Sequence, residues 1–483
     1  MMRHRFTVVL AFVVWVGMIC GCATLGPKGK RLNGVLQTAI SGTQDPKQIE
    51  SELDSLCAQA ATAACALRGR SVALNQPLAI IQGVTTSKQA LFAILVPRGK
   101  SLTYLVLVDD KPRQLLSPLV TQKDFSDWQM DQVQAANLSI NENYELWLID
   151  DDGVLWDRRE FKSLNTEKSK PRLIVASCLD DSFAKEQAVA WDKVRERKPD
   201  VIFLIGDTSH TDKYANSEGT NPQILWNRHV DTRNLLAVFR WPKLVPVLAT
   251  WDDHDYGLND GDSRYPFKNE SQQTFTTFFP RPQSGEEWLA GPGVGGMWNG
   301  FSQRFLFLDN RSFRSPNNHE QRGQTHFGDQ QNSWIMSQLK SGTSPVWLIS
   351  GDQFFGGYHK FESFEGSHPV EFLHFTQRLK KAKAPFVLLS GDRRMTELMK
   401  LDKKDVGLKT YEMTSSGLHG ATYPQALKRN PNSRRIAAAA GPLNFMELEP
   451  RVKKKSWQIK VRAWGLKEGL LFERLLKIGG KSK

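Results

Sequence analysis

Residues 245–262 read VPVLATWDDHDYGLNDGD. An apolar run, Val245 to Ala249, gives way without a spacer to carboxylates gathered round one histidine. A buried strand reads this way when its C-terminal end delivers side chains into a site. Asp252, Asp253, Asp255, Asp260 and Asp262 place five carboxylates within eleven residues, with His254 among them. Charge of one sign at that density repels itself unless cations or basic side chains answer it, and hard or borderline metal ions do so well. A solvated acidic loop is the plain alternative. It fits poorly here, because a strand leads directly into the cluster and Trp251 sits inside it. Two other apolar runs, moreover, close in Gly206-Asp207 and Gly391-Asp392.

Working outward, the same rhythm of strand and helix extends over residues 170–465. Leu173 to Ser177 ends at Cys178, Val201 to Ile205 at Gly206-Asp207, and Phe386 to Ser390 at Gly391-Asp392. Helical stretches fall at 184–197, 221–239 and 330–340, and further strands at 304–309, 346–350, 409–414, 444–449 and 457–463. The alternation predicts an α/β class, an α/β sandwich whose helices cover mixed sheets. Residues 256–299 and 419–441 read as long, turn-rich insertions of the kind that shape access to a site. Ahead of this unit, 71–165 carries short β runs with no helix between them, which predicts an immunoglobulin-like β-sandwich domain with a structural or docking role. Residues 466–483 read as a basic C-terminal tail.

The chain has 483 residues, room for two to three domains, and a formal charge of +13. The basic residues are dispersed, which reads as a solvated surface, so no nucleic-acid partner is expected. At the N-terminus, Arg3 and Arg5 precede an apolar run from Phe6 to Ile19 and then Cys20-Gly21-Cys22. The run is short for a membrane span and has the layout of a secretory signal over 1–21. Ile19-Cys20-Gly21-Cys22 resembles a bacterial lipobox, so Cys22 is the expected lipidation site and lipid the expected membrane partner. Ala23 after it favours an outer-membrane lipoprotein facing the periplasm. Residues 22–70 read as a tether with short helices. A disulfide between Cys57 and Cys65 requires a turn between them, since eight helical residues span ~12 Å.

Strand ends carrying Cys178, Asp207, Asp253 with His254, and Asp392 would form a pocket of thiolate, carboxylate and imidazole. That set suits iron, zinc or manganese, with calcium at all-oxygen positions. Ala176-Ser177-Cys178, Gly206-Asp207, Ala249-Thr250-Trp251-Asp252-Asp253-His254-Asp255, Leu308-Asp309-Asn310-Arg311 and Ser390-Gly391-Asp392 occur in that order. In them the chain resembles the alkaline phosphatase D (PhoD-like) family of metallophosphoesterases over residues 75–465. The resemblance implies a dinuclear-type site, with iron and calcium, that hydrolyses phosphate monoesters or diesters. It implies Asp207 bridging the metals, Cys178 on iron as thiolate, Asp253 and Asp392 as further ligands, and His254 beside the leaving-group oxygen. Arg311 is the candidate for stabilising the equatorial phosphoryl oxygens.

Two positions depart from the family pattern. His210 stands where many members have tyrosine, and imidazole can replace phenolate as a ligand. Arg394 stands where members have a histidine ligand, and a guanidinium cannot ligate a metal. Arg394 would either hold a substrate phosphate bidentately or pair with Asp392 or Glu397 and silence the site. Three readings follow: a lipid-anchored phosphohydrolase, a phospholipase-like diesterase, and a catalytically weakened binding lipoprotein that keeps the fold.

Overall fold

The computed structural model describes residues 77–479, apart from 110, 123–125, 152–153, 214–219, 283–284, 286, 318–323 and 454–455. The signal at 1–21, Cys22, the tether at 22–70 and the Cys57–Cys65 pair lie outside the described residues.

The first unit contains eight strands: β1 (Ile80–Thr85), β2 (Ala90–Pro97), β3 (Leu102–Val108), β4 (Lys111–Leu116), β5 (Val120–Gln122), β6 (Trp128–Ala135), β7 (Asn143–Asp150) and β8 (Leu155–Lys162). They form two antiparallel sheets, β1-β2-β6-β5 and β4-β3-β7-β8. Side chains alternate across a strand. On β2, Phe92, Ile94 and Val96 meet Tyr104, Val106 and Leu146 of the other sheet. The opposite face of β2, Ala93 and Leu95, packs with Ala79, Ile81 and Met130 against Trp226 and Phe278 of the second unit. Burial on both faces explains why β1 and β2 read as continuous apolar runs. Arg159, 2 % exposed, reinforces the contact: it pairs with Asp157 and donates to the carbonyls of Leu78 (2.6 Å) and Trp241 (3.1 Å).

The second unit adds β9 (Leu173–Ala176), β10 (Val201–Ile205), β11 (Val247–Thr250), β12 (Trp288–Ala290), β13 (Gly296–Gly300), β14 (Gln303–Phe307) and β15 (Val346–Ile349). It continues with β16 (Phe386–Ser390), β17 (Met395–Leu401), β18 (Thr410–Thr414), β19 (Arg435–Ala440), β20 (Asn444–Lys453), β21 (Ser456–Gly465) and β22 (Gly469–Ile478). One sheet runs β11-β10-β9-β20-β21-β22 and the other β12-β13-β14-β15-β16-β18-β17-β19. β9, β10 and β11 are parallel, as are β14, β15, β16 and β18. The sheets stack over Val175, Phe203 and Leu248 on one side and Phe305, Phe307, Trp347 and Leu389 on the other. Helices Ala184–Glu196 and Pro222–Leu235 cover the first sheet's outer face, and Gly328–Lys340 and Pro369–Leu379 cover the second's. The α/β sandwich preceded by antiparallel sheets is the fold class the sequence predicts.

The tail expected at 466–483 is corrected. Its residues 469–478 are β22, antiparallel to β21, with Phe472, Leu476 and Ile478 in the inter-sheet core. Exposed Arg474 shares the parity of Phe472, Leu476 and Ile478, so the period-two pattern is interrupted, and Lys477 alternates with them. The supposed insertions also hold structure: a helix at Lys268–Phe278 with β12 and β13, and a helical turn at Ala426–Arg429 with β19. β17 has no counterpart in the sequence reading.

Candidate metal centre

The C-terminal ends of the parallel strands from both sheets meet at one edge. Thr250 Oγ1 donates to Leu308 O at 2.6 Å, and Ser177 Oγ to Ser415 O at 3.0 Å. Closure there is tight enough to require glycine. A Cβ on Gly206 would lie 2.7 Å from Asp252 Cβ, one on Gly351 2.5 Å from Trp251 O, and one on Gly391 2.5 Å from Ile205 O. Each glycine precedes an aspartate, so the repeated Gly-Asp lets two backbones touch and then turns a carboxylate at the seam. Cys178, Asp207, Asp392 and Arg394 all have left-handed backbones, with φ of 57°, 52°, 58° and 53°. Such conformations strain residues with a Cβ and concentrate at functional sites.

Cys178 Sγ lies 3.2 Å from Asp207 Oδ2 and 3.0 Å from Ser416 Oγ. The His210 and His254 rings stack with centroids 4.4 Å apart. His254 Nδ1 lies 2.8 Å from Asp212 Oδ1, which leaves Nε2 toward the centre. Arg394 Nη2 approaches His254 Nε2 at 3.3 Å, His210 Nε2 at 3.5 Å and Asp207 Oδ2 at 3.8 Å. Asp253 accepts from the backbone N–H groups of His254 and Asp260, both at 2.9 Å. In front lies a cavity of about 610 Å³, lined by Asp253, His254, Asp260, His359, Phe361, Glu362, Asp392, Arg393, Arg394, Tyr423 and Arg429 among others.

The charges are frustrated without a cation. Burial pushes the Asp207 carboxyl up to about 8, against the pull of His254. Burial, with Asp207 beside it, also drives the Cys178 thiol well above its usual range. His210 is held well below the ordinary imidazole value by burial and by His254. Burial opposes charge on His254 as well, but Asp253, Asp207 and Asp212 outweigh it and hold that imidazole well above its ordinary value. A hydrogen bond with Glu362 raises Asp260 to about 8, and burial raises Asp392 to about 6. Asp207 Oδ1, His210 Nδ1 and Glu362 Oε1 are buried with no hydrogen-bond partner among the described residues. Ligand-type atoms of Asp207, His210 and His254 fall within 4.8 Å of one another, as do those of Asp253, Asp260 and Glu362. The carboxylate set fits a hard cation. At the set of Asp207, His210 and His254, with the Cys178 thiol 3.2 Å from Asp207, the donor types fit a transition metal, but Arg394 lies among them.

The solved structure of PhoD aligns with 84 % of this chain and 92 % of its own length, at TM-score 0.60 and 15 % identity. The fold is that of PhoD. The sensor domain of the anti-sigma factor RsgI4 from Pseudobacteroides cellulosolvens covers 18 % of the chain at 16 % identity and TM-score 0.14, too little to argue from. No protein-family model and no curated protein matches the chain in sequence.

Within this PhoD fold, Cys178, Asp207, His210, Asp253, His254, Asp392 and Arg394 lie together at the strand ends, with Asp253, His254, Asp392 and Arg394 lining the cavity. Arg311 does not join them, and its assignment to the phosphoryl oxygens is corrected. It is fully buried behind the seam, bonded to Asp252 (Nε to Oδ1, 2.7 Å) and to Glu362. Asp252 points back between the sheets, where its charge needs an answer, and Arg311 supplies it. Asp255 likewise turns inward, accepting from Thr208 Oγ1 and Ser209 N, and Asp309 accepts from Trp251 Nε1. Only Asp253 and His254 of the Trp-Asp-Asp-His-Asp block line the cavity. Arg394 pairs with neither Asp392 nor Glu397. Asp392 meets Arg393 at 3.3 Å, and Glu397 is taken by Arg435, Gln353 and Tyr358. Sequence reasoning missed Asp212, Glu362 and Tyr423, which arrive on loops, and Arg429, which ends the helical turn Ala426–Arg429. It also passed over Gly351-Asp352, which carries the same signal at the end of β15.

Proposed function

We propose that this chain is a metal-dependent phosphoric ester hydrolase acting on phosphate monoesters or diesters, anchored by lipid on Cys22 to the outer membrane and facing the periplasm. The clustering of Asp207 and His210 with His254, and of Cys178 with Asp207, beside the cavity that Asp253, His254 and Asp392 line, in the PhoD fold, carries the reading. A bound cation would neutralise phosphoryl oxygens and make hydroxide available near neutral pH. Asp253, Asp260, Glu362 and Asp392 are the residues that would hold a hard cation such as calcium. Cys178, Asp207 and His210 are the donors suited to iron, zinc or manganese. Arg394, with Arg393 and Arg429 at the wall, attracts the anionic ester and orients it. His254, kept charged by its carboxylate neighbours and aimed by Asp212, holds a proton at Nε2 for the leaving oxygen.

The test is hydrolysis by the purified full chain of paired aryl monoester and diester phosphates, with iron, calcium, zinc or manganese supplied. Turnover that a chelator abolishes is expected. No turnover with any of these metals overturns the reading. The guanidinium amid the imidazoles favours one alternative, a weakened lipoprotein that binds phosphate esters without hydrolysing them. Saturable binding with no turnover in the same assay would select it. The anchor has its own test: Cys22→Ser should release the protein from the membrane fraction, and continued lipid incorporation in that variant would refute lipidation at Cys22.

A further inference from the structure

Cys178, Asp207, His210 and His254 converge at the ends of β9, β10 and β11, and a guanidinium stands in their midst. Arg394 Nη2 is 3.3 Å from His254 Nε2, 3.5 Å from His210 Nε2 and 3.8 Å from Asp207 Oδ2. Cys178 Sγ adds a donor 3.2 Å from the same Asp207 oxygen. A transition metal shared by such a set sits about 2.0–2.3 Å from each donor. The guanidinium nitrogen already fills that space. Its position is built into the backbone: Arg394 has φ 53°, and its N–H donates to Ser416 Oγ at 2.7 Å. The side chain is only 14 % exposed. A guanidinium stays protonated and offers donors alone, so it supplies positive charge beside Asp207 but cannot act as a Lewis acid.

A second donor set lies beside it: ligand atoms of Asp253, Asp260 and Glu362 fall within 4.8 Å of one another, as do those of Glu362, Asp392 and Asp252, while Arg393 meets Asp392 at 3.3 Å. Asp253, Asp260, Glu362 and Asp392 line the cavity. Glu362 is 6 % exposed, and its Oε1 has no hydrogen-bond donor among the described residues; the Arg314 guanidinium approaches it only to 4.0 Å. That spacing of the Asp260, Glu362 and Asp253 carboxylates is a density of like charge that a cation relieves.

We propose that Arg394 is a built-in cation, its guanidinium filling the position that Cys178, Asp207, His210 and His254 would otherwise offer a metal ion. Metal binding is thereby confined to the set of Asp253, Asp260, Glu362 and Asp392. The chain carries one metal ion fewer than its donors could hold, and the missing charge is supplied permanently by a side chain. This deepens the hydrolase reading and rests on it for the purpose of the site, but the test needs no turnover.

The full chain is titrated with cobalt(II), with bound metal counted and thiolate-to-cobalt charge-transfer absorption recorded. The parent should bind one equivalent without that absorption, and Asp260→Asn should weaken the equivalent at least tenfold. Arg394→Ala should bind a second equivalent and gain the absorption, and adding Cys178→Ser should remove the absorption again. If Arg394→Ala does not fold, Arg394→Gln, planar and uncharged, serves in its place. A parent that takes two equivalents and shows the absorption overturns the proposal, because the guanidinium then swings aside for metal. An uncharged variant that binds no more than the parent overturns it as well. Failure to hydrolyse any phosphate ester, with these stoichiometries intact, would sink the hydrolase reading and leave the built-in cation standing.

Discussion

Arg311 and Arg394 each lie four residues beyond the end of a parallel strand in the same sheet, β14 and β16. One points down into the seam between the sheets and the other over its mouth. Arg311 is flanked by formal negative charge, with Asp252 and Glu362 bonded to it, and Arg314 nearby is likewise paired with Asp352 at 2.9 Å. Arg394 instead faces two imidazoles and a carboxyl that burial pushes toward neutrality. The first cluster is closed to further partners on its cationic side; the second keeps donors and acceptors facing a cavity. Glu362 alone is shared, held by Arg311 and lining the cavity; otherwise scaffold and site differ in which neighbours a guanidinium meets, since the residue type and its place after the strand are the same.

The comparison breaks most severely at Arg311. Arg311→Met should cost about 3–5 kcal/mol of unfolding free energy, because it strands two buried carboxylates. Urea unfolding measures it, and a loss below about 1 kcal/mol would show that the seam does not depend on this charge. On the other side, His254→Ala should lower turnover by ~10²–10⁴-fold while leaving cation content unchanged, since the residue is assigned to the leaving oxygen. Asp253→Ala should lose both. Equal loss of metal in the two variants would erase the division between them.

The smallest effect tests a buried imidazole whose neighbours are Phe278, Arg228 and Arg233. His229 is fully buried, stacks on Phe278 at 5.1 Å, and neither ring nitrogen has a hydrogen-bond partner among the described residues. Burial, with Arg233 and Arg228 adding to it, holds its pKa well below the ordinary value. Below about pH 6.5 the unfolded chain takes a proton that the native state refuses, so this group's contribution is present above that pH and lost as pH falls. His229→Phe should therefore gain stability relative to the parent between pH 7 and pH 5, by at most about 1.4 kcal/mol per pH unit. Paired melting curves at the two pH values check it; a difference that stays constant with pH refutes the assignment.

The fold was legible in the sequence wherever strands are buried on both faces, because β9, β10, β11, β15 and β16 are unbroken apolar runs. Asp253 and His254 were legible because one helical turn, Asp253–Tyr256, carries them directly off β11. Direction was not legible. Asp252 and Asp253 are adjacent, yet one answers Arg311 and the other lines the cavity, and nothing in a one-dimensional pattern separates them. Arg311 was misread for the same reason. Glu362 and Asp212 escaped because they reach the centre from loops without periodicity. β22 escaped because, on this edge strand, apolar Leu470 and Leu475 are exposed while Arg474 stands between buried Phe472 and Leu476, so the alternation is broken.

The sheet β1-β2-β6 shares one face with its own sandwich and the other with the α/β unit, and Arg159 ties the two through main-chain carbonyls. The boundary between the units is consequently no place to cut the gene. A fragment beginning near residue 170 would bare the surface that Ala79, Ile81, Ala93, Leu95 and Met130 cover, and would come out of solution rather than work alone. Heated intact, the chain should give up both units in one cooperative transition.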